Sequence, residues 1–192
     1  MTALILASTS PYRRDLLSRF GLPFDTRSPG VDEAHRAGEP PSDRAMRLSI
    51  EKARAVALQY PDAIVIGSDQ VAAAGGRILD KPGNDAICRE QLGHLSGATA
   101  HFYTGCAVVG PDAEIRDSHL DVTYVVFRTL GSDEIARYVD KEKPFDCAGG
   151  FKVEALGITL FDRVESVDPT ALIGLPLIWL AGTLRKAGFV LP

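Results

Sequence analysis

Apolar residues come in short bursts along this chain, and their spacing changes from burst to burst. Ala3–Ala7 is a continuous apolar run, the pattern of a buried strand. From Tyr12 to Phe20 the spacing turns helical, with Leu16, Leu17 and Phe20 on one face and Arg13 and Arg14 near the start. Ser10 suits the cap of that helix, Pro11 its first turn and Gly21 its end. Phe24–Ser28 reads as a strand that leads into the acidic turn Val31-Asp32-Glu33. Ser42 to about Leu58 predicts a second helix carrying Lys52, with Met46, Ile50, Ala53 and Ala57 spaced for burial; Pro61-Asp62 breaks it.

Ala63–Gly67 is an apolar strand that should end at Ser68-Asp69-Gln70. Val71–Leu79 reads as a hairpin turning at Gly75-Gly76, followed by Asp80-Lys81-Pro82. Asn84 caps a third helix running to about Leu95, stopped by Ser96-Gly97. Thr99–Val109 and Leu120–Phe127 pattern as long antiparallel strands, with Gly110-Pro111-Asp112 near their turn. Ser132 caps a fourth helix to about Lys141. Phe151–Leu160 alternates like a strand interrupted by Gly157, Pro169–Ile173 suits a short helical turn, and Leu175–Ala187 a closing helix ended by Gly188. No internal repeat is present. Strands and helices interleave without strict alternation, so the expected fold is α/β, a mixed sheet flanked by helices.

Composition narrows the function more than the fold. The chain has 192 residues, 45% hydrophobic and 24% charged, enough to bury a sizeable core. No apolar run approaches the ~20 residues of a membrane span. The N-terminus lacks the basic start of a signal peptide, so a cytoplasmic protein is expected, with no membrane partner. A formal net charge of -4 argues against binding nucleic acid polymers, which takes a dense basic surface. Cys88, Cys106 and Cys147 are odd in number and far apart, which suits small buried side chains in a reducing compartment. The four histidines show no metal spacing.

Candidate chemistry gathers at element ends. The turn Ser8-Thr9-Ser10 before the first helix offers backbone N–H groups, hydroxyl donors and the guanidinium of Arg13 to an anion. A plain capped surface helix explains the same residues. Asp69, read as lying just past a strand end, is placed to hold a metal or take a proton from water; a turn-forming Asp is the other reading. Lys52, Lys81 and Glu33 each also read as ordinary solvated charges. Together, two carboxylates and three cations make the mixture that a triphosphate with Mg²⁺ or Mn²⁺ requires.

The same residues carry a resemblance. Leu6-Ala7-Ser8-Thr9-Ser10-Pro11-Tyr12-Arg13-Arg14, Val31-Asp32-Glu33, Glu51-Lys52-Ala53, Gly67-Ser68-Asp69-Gln70-Val71, Asp80-Lys81-Pro82, Leu95-Ser96-Gly97, Tyr103-Thr104-Gly105 and Gly174-Leu175-Pro176-Leu177 together resemble the Maf family of nucleoside triphosphate pyrophosphatases. The likeness covers essentially the whole chain. It implies one domain over residues 1–192, an elongated α/β fold like that of inosine triphosphatases with a cleft between two lobes, and a divalent metal, Mg²⁺ or Mn²⁺. A homodimer is compatible with it. It makes Asp69 the proton acceptor and places Ser8, Ser10, Arg13, Glu33, Lys52 and Lys81 in the active site. Arg13, Lys52 and Lys81 then bind phosphate oxygens, Glu33 and Asp69 adjoin the metal, and Asp32 is a further metal neighbour.

Within the family, Gln70 after the Asp, Cys147-Ala148-Gly149-Gly150-Phe151-Lys152-Val153-Glu154 and Gly157-Ile158-Thr159-Leu160-Phe161 are similar to the 7-methyl-GTP pyrophosphatase branch. Tyr12, Gln70 and Glu154 match the specificity positions, with Tyr where relatives often carry Trp. A carboxylate such as Glu154 suits the two adjacent N–H donors on guanine's Watson–Crick edge. An aromatic ring suits a cationic methylated base, a contact worth ~0.5–2 kcal/mol. The implied function is removal of modified nucleotides by hydrolysis of 7-methyl-GTP to 7-methyl-GMP and diphosphate. The alternatives are a dTTP/UTP pyrophosphatase of the same family, or a septum-formation regulator that acts by binding.

Overall fold

The computed structural model describes residues 2–192. The described chain divides into two compact units. The first comprises residues up to Gln70, Tyr103–Asp121 and Asp168–Pro192; the second comprises Val71–Phe102 and Val122–Val167.

In the first unit, β1 (Leu4–Ala7) pairs in parallel with both β2 (Asp25–Arg27) and β3 (Ile64–Ala74). The sheet continues from β3 to β5 (Thr99–Val109) and β6 (Ile115–Phe127). Side chains of a strand alternate between faces, and here both faces are covered. Leu4, Leu6, Ile64, Ile66, Cys106 and Val108 pack with Leu16 and Leu17 of α1 (Pro11–Ser18) and Leu177, Leu180 and Leu184 of α5 (Leu177–Lys186). Ile5, Ala7, Ala63, Val65 and Val109 pack with Ala53, Val56 and Ala57 of α2 (Pro41–Ala57). Strands buried on both sides read as continuous apolar runs, as Leu4–Ala7 does.

Two glycines on the α2 face set how close that helix lies. A Cβ on Gly67 would stand 2.2 Å from the Ser49 carbonyl oxygen, and one on Gly105 would stand 2.4 Å from that of Ala45. Backbone meets backbone at both crossings. The buried stripe of α2 is Arg44, Ala45, Leu48, Ser49, Lys52, Ala53, Val56 and Ala57. This is rotated from the expected face: Met46 and Ile50 are only half-buried.

In the second unit, the far end of β3 pairs antiparallel with β4 (Arg77–Leu79), and β6 with β7 (Phe161–Glu165). The Asn84 side chain caps α3 (Asp85–Leu95) by accepting from the Ile87 N–H. For α4 (Ser132–Glu142) the N-cap is Gly131, so Ser132 is the first helical residue rather than the cap. The strand expected over residues 151–160 does not form. Residues 153–155 are a turn and Leu156–Leu160 a 3-10 helix. Phe151 turns inward, edge-on to Phe102, Phe127 and Phe161. A Cβ on Gly157 would meet the Lys152 carbonyl oxygen at 2.4 Å, so the chain folds tightly back on itself there.

Among the described residues no helix is long and apolar enough to cross a membrane. Cys88 and Cys106 are buried and Cys147 is half-buried, without a disulfide. Burial pushes the Cys88 thiol up to about 11 and the Cys106 thiol up to about 12.

Candidate active site

Asp69 lies inside β3, not past its end. The strand runs on through Ala74, and Asp69 is only 7% exposed. The polar run Ser68-Asp69-Gln70 reads like a strand terminus, but each side chain has a partner, so the strand continues through it. Alternation sends Asp69 to the face that Gly67 opens to α2. There Lys52, 5% exposed, places its Nζ 2.6 Å from Asp69 Oδ1 and 2.7 Å from Glu33 Oε1. One ammonium is shared by two carboxylates. Asp69 Oδ2 makes no hydrogen bond to the described residues.

Arg13 lies near the same carboxylates. Its Nε donates to the Gly174 carbonyl at 3.1 Å. Burial lowers the pKa of its guanidinium, opposed by Asp69, Cys106 and Glu33. An arginine starts so high that it stays a cation at neutral pH. The turn before α1 has the expected form: Ser10 accepts from the Arg13 N–H at 3.4 Å, and the buried Ser8 hydroxyl accepts from the Ser10 N–H at 3.1 Å. Tyr12 is half-buried in the first turn of α1.

The exposed loop that carries Glu33 is tied down by α2. Arg44 Nη2 donates to the Glu33 carbonyl at 3.1 Å, and its Nη1 lies 2.6 Å from Nε2 of His35. Arg47 grips Glu39 through two bonds of 2.5 and 2.7 Å and reaches Glu51 at 3.0 Å. That grip holds the Glu39 carboxyl below the usual carboxylate range. Sequence reasoning missed Arg44, although a signal exists. Arg44, Leu48 and Lys52 recur every four residues, which puts Arg44 on the same helix face as Lys52. Asp32 shapes its own turn, with Oδ1 accepting from the Ala34 N–H at 2.9 Å.

Gln70 is committed within the first unit. Its amide Nε2 lies 3.0 Å from each of Thr104 Oγ1, the Ala171 carbonyl and the Leu172 carbonyl. Lys81 and Glu154 belong to the second unit, and both are exposed. Lys81 follows β4, where Gln91 Nε2 donates to the neighbouring Asp80 carbonyl at 3.0 Å. Glu154 sits in the turn over residues 153–155.

Arg13, Glu33, Lys52 and Asp69 therefore come together in one unit: two cations and two acids, with Lys52 and Asp69 buried. Asp69 and Glu33 are hard oxygen donors joined through a common partner. Among the described residues no group of three or more His, Cys, Asp or Glu forms a metal-holding cluster.

Known proteins place the chain. The family model described as Maf-like protein matches residues 3–187. A protein of Aromatoleum aromaticum named 7-methyl-GTP pyrophosphatase is 56% identical over 190 residues, covering 98% of this chain and 97% of that one. One of Xanthomonas oryzae pv. oryzae with the same name is 56% identical over 192 residues, covering both chains in full. The solved structure of the Staphylococcus aureus Ham1 protein covers 97% of this chain and 100% of its own at TM-score 0.53 and 13% identity, a likeness of fold alone. The match runs almost from end to end and includes the segments that carry Arg13, Glu33, Lys52 and Asp69, so this chain belongs to the Maf family.

Proposed function

We propose that this protein is a nucleoside triphosphate pyrophosphatase that hydrolyses 7-methyl-GTP to 7-methyl-GMP and diphosphate. The observation that carries the reading is the buried Lys52 ammonium shared by Asp69 and Glu33, in a chain whose full-length relatives are named for that activity. Lys52 holds Asp69 by Oδ1 and leaves Oδ2 to orient a water and take its proton. Arg13 offers a planar fork to phosphate oxygens, Lys81 is a further phosphate cation, and Ser8 and Ser10 line the anion side. One water adds across the α–β anhydride; its proton goes to Asp69 and diphosphate leaves.

The donor set suits Mg²⁺ or Mn²⁺. Such an ion takes one or two protein carboxylates and completes its shell with phosphate oxygens and water, so a third acid is not needed. Glu33 and Asp69 would hold it. When bound, it supplies charge neutralisation on the phosphates. Glu154 and Tyr12 are the residues assigned to the base.

Diphosphate release from 7-methyl-GTP, GTP, dTTP and UTP, with Mg²⁺ or Mn²⁺, tests the assignment. The highest kcat/KM is expected on 7-methyl-GTP; faster turnover of dTTP or UTP would move the protein to the pyrimidine branch. Glu154→Ala is expected to lower kcat/KM on 7-methyl-GTP roughly 10–100-fold, the cost of a lost charged hydrogen-bond acceptor, with little change on dTTP. Equal losses on both nucleotides would remove Glu154 from base recognition.

A further inference from the structure

Asp69 uses one face of β3, and its two neighbours use the other. Ser68 is fully buried, and its single hydroxyl proton is shared between the Gly174 carbonyl at 2.8 Å and the Gly105 carbonyl at 2.9 Å. Gln70 and Thr104, hydrogen-bonded to each other at 3.0 Å, each donate to the Ala171 carbonyl at 3.0 Å. Beyond the turn, Asp168 Oδ2 accepts from the Ile178 N–H at 2.6 Å, and the Thr170 hydroxyl accepts from the Leu177 N–H at 3.0 Å. The segment 168–178 is pinned along its length.

At its centre stands Gly174, with φ +133, a conformation that L side chains rarely adopt. A Cβ there would lie 3.2 Å from both Cγ and Nε of Arg13. Its carbonyl oxygen accepts from two side chains at once, Ser68 Oγ and Arg13 Nε.

We propose that Ser68 is a positioning residue that sets Arg13 through the Gly174 carbonyl. The inference rests on the reading above, in which Arg13 binds the substrate's phosphates. A free arginine side chain samples many rotamers, and its fork is useful only in one plane. A bond from Nε to a carbonyl fixes that plane and directs both Nη groups the same way. The carbonyl orients Arg13 only if it cannot swing, and the Ser68 hydroxyl is what holds it. Ser68 touches no substrate. The strand that carries Asp69 on one face thus aligns the phosphate-binding arginine from the other.

A double-mutant cycle on the full chain, read as kcat/KM for 7-methyl-GTP, tests this. Ser68→Ala is expected to lower kcat/KM about tenfold, the scale of a small misplacement of a binding group. In the Arg13→Ala background the same change is expected to have no further effect, because the group it aligns is gone. A merely structural role would carry the full loss into that background, and that result overturns the proposal, as does an unchanged Ser68→Ala enzyme. If Arg13→Ala itself keeps parent activity, the phosphate-binding reading of Arg13 fails, and this inference falls with it. If the alanine variant does not fold, Ser68→Cys supplies the same cycle, since its thiol fills the space but donates only weakly.

Discussion

Asp69→Asn is expected to cost about 10²–10⁴ in kcat while the chain stays folded, the range for loss of a positioned general base. Asparagine has the same shape and still presents an oxygen to Lys52 Nζ, so the 2.6 Å contact can persist as a hydrogen bond. What is lost is the negative charge and the ability to take a proton. Removing one partner of a buried ion pair often costs ~3–5 kcal/mol because the other charge is stranded. Here Lys52 keeps Glu33 at 2.7 Å, and the loss should be about 1–2 kcal/mol. At this chain length that is a fall of roughly 2–8 °C in Tm. Single-turnover diphosphate release and a thermal melt separate the two effects. Activity within about threefold of the parent would remove Asp69 from the chemistry.

The second large effect concerns spacing rather than charge. Gly67→Ala places a methyl 2.2 Å from the Ser49 carbonyl oxygen and 2.6 Å from the Ala53 nitrogen. Both are backbone atoms of a helix, so no rotamer change relieves the clash and α2 must move. Overpacking of this kind costs about 1–3 kcal/mol or more, a fall in Tm of roughly 2–12 °C. Activity should fall as well, because Lys52 rides on α2 and Asp69 on β3, and the same crossing sets their distance. Gly93→Ala is the control. Gly93 is an exposed position of α3 with nothing within 4 Å of an added Cβ, and a gain of about 0.5–1 kcal/mol is expected there. A Gly67→Ala protein that melts and turns over like the parent would show that the close approach is not required.

Legibility in the sequence followed how local the determining contacts are. β5 forms over Thr99–Val109 as the pattern indicates, and α3 starts after Asn84, because an alternating run and a capping side chain act within a few residues. The hairpin at Gly75-Gly76 is local in the same sense. The break expected after Gly67 is different. Whether Ser68, Asp69 and Gln70 can stay inside a strand depends on Lys52, Gly105, Thr104, Ala171 and Gly174, which lie 17 to 106 residues away. Phe151–Leu160 failed for a related reason: its alternation is real, but Phe151 joins an aromatic cluster and Gly157 folds the segment back. Of the site, Asp69, Lys52, Glu33 and Arg13 are readable as residue types, although Asp69 stands inside β3 and Lys52 inside α2 rather than at element ends. The clamp of Arg44, Arg47 and Glu39 on the acidic loop was not, since it joins a loop to a helix without a fixed motif.

The buried thiols have a use outside the chemistry. Cys106 lies in the first unit and Cys88 in the second, each fully covered and each held in its unreactive thiol form. A thiol reagent reaches either one only when the surrounding structure opens, so its rate of attack measures the free energy of that opening. Once the half-buried Cys147 of the second unit is replaced, the chain carries one buried native reporter in each unit. The local stability of the sheet around Asp69 can be followed separately from that of the unit holding Glu154, without introducing a label.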